Sequence, residues 1–139
     1  MIDLDNQTDL ELDISALETI ANDLTSKDIE LILTRNDEIQ KLNKEHRNID
    51  KATDVLSFPL EFDMDNMPLG SIVISTDFVE EKAKEYNHHF EDELKLLFIH
   101  GLLHIVGFDH EVDDGEHRDK EEELIKKYNL PNSLIIRNS

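Results

Sequence analysis

The sequence predicts a single domain of mixed α and β structure, on three observations. The chain has 139 residues, which is within the usual size of one domain. Hydrophobic residues make up 38% of it, and this is enough material for one core. Strand-like and helix-like stretches alternate along the chain, with no internal repeat and no Gly-rich or Pro-rich linker. We therefore expect residues 1–139 to form one folded unit.

The first half of the chain predicts two strands, each followed by a helix. Residues 1–7 alternate apolar and polar side chains with a period of two, which is typical of an edge strand. Ser15 and Glu18 then match a capping box that opens a helix. Residues 29–34 predict the second strand, and Asn36 can cap the second helix.

The second half predicts two more strands and then three helices. Residues 53–58 and 70–75 have strand composition, and the acidic loop between them is bounded by prolines. Asp77 with Glu80 can cap the first of the three helices. By their caps and amphipathic spacing, these helices are predicted to span 77–87, 90–106 and 116–128.

The composition excludes several classes of protein. The chain has 14 Lys and Arg against 33 Asp and Glu, and a net charge of −19 excludes a nonspecific coating of nucleic acid. Without cysteine there is no disulfide, thiolate metal site or cysteine nucleophile, which agrees with a cytoplasmic location. Residues 1–13 are acidic, the opposite of an export signal. The longest apolar stretch, 94–108, is shorter than the roughly 20 residues that cross a bilayer, so no membrane partner is expected.

Three histidines occur in the segment HGLLHIVGFDH, at His100, His104 and His110. The first two are four residues apart on a predicted helix, so their β-carbons are about 5–6 Å apart and both rings can face one ion. Gly107 can adopt the left-handed conformation that ends a helix, and the chain can then return so that His110 supplies a third nitrogen. Three imidazoles leave a fourth tetrahedral position open, as in catalytic zinc sites. We expect one divalent ion, zinc, on a buried helix and the turn that follows it.

The residues around these histidines are nearly all large and apolar, which favours metal binding over an ordinary structural role. A lone histidine in an apolar helix is more often a core or surface residue. A buried polar ring without a partner, however, costs about 1–3 kcal/mol. The spacing is that of the metzincin protease motif HExxHxxGxxH, but Gly101 replaces the glutamate that serves there as general base. Peptide hydrolysis by that route is therefore disfavoured.

Residues 41–51 (KLNKEHRNIDK) form a net positive island in the acidic chain. On spacing alone, this island can be the solvated end of a helix, where cations interact favourably with the helix dipole. The functional alternative is an anion-binding edge, in which Arg47 binds a phosphate with two parallel hydrogen bonds.

The remaining histidines and two aspartates are predicted to have roles other than binding the ion. Four histidines lie in polar stretches and are expected to be solvated and not to bind the ion. They are His46, His88, His89 and His117. Asp54 and Asp109 are candidates for orienting a ligand imidazole, because such ligands usually donate their other N–H to a carboxylate or carbonyl. Capping or turn formation is the alternative role for both aspartates.

Two further segments accompany the histidine motif: LNKEHRNIDKATDVLSFP at Leu42–Pro59 and PLGSIVIS at Pro68–Ser75. Together, the three segments resemble the YbeY family of bacterial endoribonucleases over most of the chain. The histidine motif with Gly in place of Glu is highly specific. The TDVLSFP stretch is a second, independent signature at the expected distance.

The resemblance implies an α+β fold, a single domain with helices packed on a four-stranded mixed sheet. It also implies a zinc-like ion on His100, His104 and His110, and a catalytic role for Arg47. The implied activity is that of a metal-dependent endoribonuclease acting on single-stranded RNA. The implied process is 3′-end maturation of the small-subunit ribosomal RNA and ribosome quality control, with the small subunit or its assembly proteins as partners.

One position departs from the family pattern. Where the family usually has LGDI, residues 69–72 are LGSI, so a carboxylate that would be a candidate proton acceptor is missing. No general base is therefore assigned, and the nucleophile can be water or the RNA 2′-hydroxyl. Two alternative functions stay open at this point: a metal-dependent hydrolase of peptides or small esters, and a non-catalytic ribosome-assembly factor.

Overall fold

A four-stranded mixed sheet forms the centre of the computed structural model, which describes residues 2–59, 69–107 and 114–130. Its strands are β1 (Ile2–Asn6), β2 (Ile29–Thr34), β3 (Val55–Pro59) and β4 (Gly70–Ser75). They lie in the order β1-β2-β4-β3, where β1, β2 and β4 are parallel and β3 is antiparallel to β4. The predicted four-stranded mixed sheet is confirmed, with β1 at an edge.

Five helices occur in the described residues, close to their predicted bounds, and complete an α+β fold. They are α1 (Ser15–Leu24), α2 (Asn36–Arg47), α3 (Thr76–Glu85), α4 (Phe90–Ile105) and α5 (Glu116–Lys127).

The sheet separates two apolar clusters, because successive side chains of a strand point to opposite faces. On one face, Ile72 and Ile74 of β4 join a large cluster that includes apolar residues of α1, α3, α4 and α5. On the other face, Val73 of β4 and Leu56 of β3 pack against Ile39 of α2. The described helices are thus distributed unequally, with α2 on the second face.

Helix α4 lies in the middle of the large cluster, in contact with β3, β4, α1, α3 and α5. Most of its side chains are buried, which explains why it is apolar on nearly all sides. None of the helices in the described part of the chain is long and apolar enough to span a membrane.

Three predicted helix caps are wrong. The pair Asp77 and Glu80 does not cap α3, because this helix begins at Thr76 and its N-cap residue, Ser75, forms no side-chain cap hydrogen bond. The capping box at Ser15 is not formed: this residue begins α1, and Asp13 accepts its backbone N–H at 2.9 Å. Asn36 begins α2, and Asp77 of α3 accepts its backbone N–H at 3.0 Å. The parallel strands β2 and β4 end side by side, so the helices that follow them start together and Asp77 caps the neighbouring helix.

Candidate metal centre

Helix α4 places His100 and His104 side by side, as their four-residue spacing predicts. Their ring centroids are 5.5 Å apart, and the ring planes are inclined at 73°. His100 is almost fully buried, whereas His104 is half-buried in the last turn of the helix. Of the two rings, His104 is therefore the more accessible to a molecule in solution.

Gly101 lies where α4 packs most tightly on the sheet. A Cβ atom on this residue would lie 3.0 Å from Oγ of Ser57, 3.1 Å from Cγ2 of Ile72 and 3.2 Å from Cγ2 of Val55. The Ser57 hydroxyl also donates a hydrogen bond to the Gly101 carbonyl at 3.2 Å. A glutamate side chain here would have to displace these neighbours, so packing disfavours the protease base.

Helix α4 ends as the sequence predicts. Gly107 has φ +114°, a conformation that residues with a side chain rarely adopt, and its N–H donates to the His104 carbonyl at 3.2 Å. The predicted third ligand, His110, and the candidate orienting residue Asp109 lie outside the described residues.

Helix α5 brings two further polar side chains against the histidine pair. Oε2 of Glu121 lies 3.1 Å from Nδ1 of His100 and 3.6 Å from Nε2 of His117. The His117 ring stacks on His100 at 4.9 Å between centroids and meets His104 edge-on at 5.2 Å. His117 and Glu121 are both 0% exposed. Three imidazoles and one carboxylate thus converge between α4 and α5.

The prediction that His117 is solvated is wrong, because α5 turns one face into the core. The buried residues of α5 are His117, Glu121, Leu124 and Ile125, which recur with helical spacing. That spacing is visible in the sequence, because His117 precedes Leu124 by two helical turns and Glu121 precedes it by one. The many charged residues of α5 obscure it, because an average over the segment indicates a solvated helix.

The side chains between α4 and α5 fit a divalent cation. The ligand atoms of His100, His117 and Glu121 all lie within 4.8 Å of one another. Imidazole nitrogen and carboxylate oxygen are the ligands that zinc and other first-row divalent metals accept. A carboxylate buried among apolar side chains is costly unless a positive or polar partner compensates it. These three residues could therefore hold a metal ion.

Arg47 occupies the exposed end of α2, where Asn48 ends the helix in the left-handed conformation. No ion pair joins Arg47 to a side chain in the described part of the chain, whereas Lys44 of the same island lies 3.9 Å from Asp50. The Arg47 guanidinium is thus available to an external anion.

Arg47 and the histidines lie on different faces of the sheet, and none of the described residues brings them into contact. Strand β3 is common to both faces. Its Leu56 packs in the cluster of α2, and its Ser57 contacts Gly101 of α4. Since β3 is an edge strand, the end of α2 and the histidine helix flank the same edge of the sheet.

Two polar positions singled out from the sequence have structural roles. Oδ1 of Asp54 accepts the N–H of Val55, the first residue of β3, at 2.9 Å. The carboxylate of Asp54 therefore binds the backbone at the start of this strand and does not orient a described imidazole. Ser71, which replaces the usual aspartate, donates to Glu30 on β2 at 2.9 Å. Ser71 points to the same face as Val73, away from α4. The carboxylate that contacts the imidazole of His100 is instead that of Glu121.

Three other histidines lie away from this centre. His46 and His89 are exposed as predicted, and the His46 ring lies 5.0 Å from that of Phe58. The solvated role predicted for His88 is wrong: its side chain is only 14% exposed, with Nδ1 3.8 Å from a carboxylate oxygen of Glu93.

The chain is similar to proteins of one family along nearly its whole length. The family profile described as Endoribonuclease YbeY matches residues 3–129. A protein of Aliarcobacter butzleri named Endoribonuclease YbeY is 70% identical over 140 residues, covering 100% of both chains. A protein of Nautilia profundicola with the same name is 64% identical, covering 99% of each.

A solved structure supports the same relationship. The solution structure of a Thermotoga maritima protein superposes with a TM-score of 0.59 at 32% sequence identity, covering 93% of this chain and 92% of that one. Sequence, fold and histidine motif agree, and the chain belongs to the YbeY family of endoribonucleases.

Proposed function

We propose that this protein is a metal-dependent endoribonuclease that cleaves single-stranded RNA. The observation that carries the proposal is the convergence of three imidazoles, His100, His104 and His117, against an apolar core, with the ring of His104 half-buried. Membership of an endoribonuclease family supplies the substrate class. The finer role follows the family resemblance: 3′-end maturation of the small-subunit ribosomal RNA and ribosome quality control in the cytoplasm.

We assign the ion to His100, His104 and His110, with zinc as the metal. The first two are neighbours on α4 with ring centroids 5.5 Å apart, as expected for two imidazoles that share one ion. His110 enters from the family motif, which this sequence matches in full. The chemistry that a divalent ion supplies at such a site is polarisation of a phosphoryl oxygen and acidification of water.

Arg47 is proposed as the catalytic cation. Its guanidinium is exposed and forms no ion pair with a described side chain, so it can bind two oxygens of one phosphate. Arg47 and the histidines flank the edge strand β3 from opposite faces of the sheet. We therefore propose that the RNA backbone follows the β3 edge, and that Arg47 and the ion on the histidines bind oxygens of the same scissile phosphate.

The charge of the chain favours delivery of the RNA by a partner. Affinity for a polyanion comes chiefly from counterion release by Lys and Arg, and the net charge here is −19. We therefore expect weak binding to free RNA, with the small ribosomal subunit or its assembly proteins presenting the substrate. Nanomolar binding of free single-stranded RNA at physiological salt would contradict this part of the proposal.

The proposal is tested by cleavage of single-stranded RNA with zinc-loaded wild type, Arg47→Ala and His104→Ala. We expect Arg47→Ala to keep its metal and its fold and to lose about 10²–10³-fold in cleavage rate. His104→Ala is expected to lose both metal and cleavage. Arg118→Ala, which removes another exposed arginine, is the matched control and is expected to cleave like wild type.

Other results would contradict parts of this proposal. Full cleavage by Arg47→Ala would remove Arg47 from the reaction. Full metal content and cleavage in His104→Ala would overturn the metal site. If zinc-loaded wild type cuts no RNA but still associates with the small subunit, the protein is a non-catalytic assembly factor, and faster cleavage of peptides than of RNA would indicate a peptide hydrolase.

A further inference from the structure

A second layer of polar side chains lies behind the histidine pair, and the proposed set of ligands leaves it without a role. It consists of His117 and Glu121 on α5, one helical turn apart and both completely buried. Oε2 of Glu121 lies 3.1 Å from Nδ1 of His100, within hydrogen-bond distance, and 3.6 Å from Nε2 of His117. Burying a carboxylate costs free energy, so its position against two imidazole nitrogens has to be explained by an interaction that compensates this cost.

We propose that Glu121 is the positioning residue of the metal ligand His100, an inference that rests on the proposed function. The carboxylate accepts the N–H of His100 at Nδ1, so the lone pair of that ring lies on Nε2. With this tautomer and ring orientation fixed, Nε2 is directed away from Glu121 and carries the lone pair that can bind the ion. Imidazole ligands commonly donate their other N–H to a carboxylate, which also raises their basicity.

His117 completes this second layer by covering His100 and Glu121. Its ring stacks on His100 at 4.9 Å with planes only 27° apart, and it meets the edge of His104 at 5.2 Å. This arrangement keeps water away from the contact between His100 and Glu121, because His117 and Glu121 are both without exposed surface. An electrostatic contact sheltered in this way is stronger than the same contact in water.

Accessibility argues against the alternative that His117 and Glu121 bind the reactive ion directly. An ion held by these two residues would lie among fully buried side chains, where an RNA phosphate has no approach. His104, by contrast, is half-buried. The side of His100 that faces His104 is therefore the side where an ion can meet substrate, and the side that faces Glu121 supports it.

The test uses the full-length protein with Zn²⁺ and Co²⁺ as probes and two substitutions of Glu121. Glu121→Gln keeps an oxygen that can accept the hydrogen bond but removes the charge, and Glu121→Met removes both. We expect zinc affinity, measured by competition with a chromophoric chelator, to fall in the order wild type, Gln, Met, with a total loss of about 10–100-fold. The saturating ratio of metal to protein and the Co²⁺ absorption spectrum are expected to stay unchanged, because the ligands stay the same.

Glu123→Gln is the matched control, since Glu123 is an exposed carboxylate on the same helix, paired with Lys120 at 3.2 Å. It is expected to bind zinc like wild type. A zinc affinity within twofold of wild type in both Glu121 variants would overturn the inference. A changed Co²⁺ spectrum in Glu121→Gln and in His117→Ala would also overturn it, because these residues would then be ligands.

A measurement on the unaltered protein keeps the inference testable if the Glu121 variants fail to fold. In zinc-loaded wild type, long-range ¹H–¹⁵N spectra of the histidine rings are expected to show His100 protonated at Nδ1. Protonation at Nε2 would overturn the inference. Failure of the proposed metal site is distinguishable from failure of this inference, because it appears as full zinc binding by His100→Ala and His104→Ala.

Discussion

The hydroxyl of Ser57 donates a hydrogen bond to the carbonyl of Gly101 over 3.2 Å, and a Cβ atom on Gly101 would lie only 3.0 Å from the same hydroxyl. Strand β3 therefore lies directly against the helix that carries the two histidines, and a side chain at position 101 would have to push its neighbours aside. The residue type at position 101 is decided by this contact. A histidine motif shared with metalloproteases is thus built here on a helix where their glutamate would have to displace packed neighbours.

Gly101→Glu is expected to destabilise the protein and not to create a protease. The new side chain must displace Ile72 or Val55 from a packed core or bury a carboxylate, and we expect a loss on the order of 3 kcal/mol in the free energy of unfolding. Urea unfolding measures this loss, and a peptide panel measures hydrolysis.

Gly101→Ala is the control for this change. It adds only a Cβ atom, and the better helix propensity of alanine, worth about 1 kcal/mol, offsets part of the crowding. The free energy of unfolding of Gly101→Ala is therefore expected to be lower than that of wild type by about 1 kcal/mol or less. A stable Gly101→Glu variant that hydrolyses peptides would show that packing does not exclude the protease base.

The conformation of Asn48 predicts a graded series of substitutions at the end of α2. Its φ of 57° lies in the left-handed region, and its N–H donates to the Lys44 carbonyl at 3.1 Å to end the helix directly after Arg47. Asn48→Gly is expected to leave the free energy of unfolding nearly unchanged, whereas Asn48→Ala is expected to lose about 1–2 kcal/mol. Equal stability of the two variants in urea would contradict a left-handed residue here.

The sequence predicts the elements of this fold well because their signals are local. The period of two in β1, the spacing of His100 and His104 and the helix-ending Gly107 each depend on residues within one element. The predictions for Asn36 and His117 are wrong because they depend on contacts between distant segments. Asp77 caps a helix that begins 41 residues earlier, and no propensity contains that pairing.

In the metal centre, too, local sequence predicts some features, whereas others depend on contacts between distant segments. The pair of histidines on α4 follows from spacing, but the burial of His117 and its approach to His100 depend on how α5 docks on α4. The contact between His100 and Glu121 joins residues 21 positions apart. In the sequence, this face of α5 can be found by looking for polar residues at helical spacing from Leu124. The composition of the segment alone does not show it.

The salt dependence of RNA binding is expected to report the contact between Arg47 and phosphate. Each phosphate neutralised on a single strand contributes about −0.7 to the slope of log Kobs against log salt concentration. Arg47→Ala is therefore expected to bind more weakly at low salt, with a slope shallower by about 0.7. Fluorescence anisotropy with metal-depleted protein measures this on intact RNA. An unchanged slope, with the same affinity as Arg118→Ala, would mean that Arg47 contacts no phosphate.

The contact between Tyr128 and Asp23 predicts a loss of stability at high pH. The Tyr128 hydroxyl and Lys127 both donate to the carboxylate of Asp23, which joins the end of α5 to the end of α1. Burial, together with the bond to Asp23, raises the pKa of Tyr128 to about 12 from an ordinary value of 10.0. The same two donors, Lys127 first, lower the pKa of Asp23.

The raised pKa of Tyr128 and the lowered pKa of Asp23 determine the pH at which each residue stops stabilising the fold. A tyrosine whose pKa is raised by folding stabilises the protein fully below about pH 10, and that stabilisation is lost as the pH rises towards about 12. The difference in free energy of unfolding between wild type and Tyr128→Phe is therefore expected to shrink from pH 9 to pH 12. At the acid end, the stabilisation due to Asp23 is expected to be lost as the pH falls through and below about 4. A difference that stays constant up to pH 12 would show that Tyr128 titrates normally.

Removal of the metal is expected to lower the stability of the whole fold, because the proposed ligands lie on the central helix α4. A ligand that binds only the native state at 100 times its Kd stabilises it by about 2.7 kcal/mol. For a domain of this size, that corresponds to a rise in Tm of roughly 8–11 °C. We expect Zn²⁺ to produce such a rise over chelator-treated protein, and His100→Ala to show none. An equal Tm with zinc and with chelator, in wild type whose bound metal has been measured, would mean that zinc binds the unfolded chain as tightly as the native state, and that the folded arrangement of His100 and His104 is not what holds it.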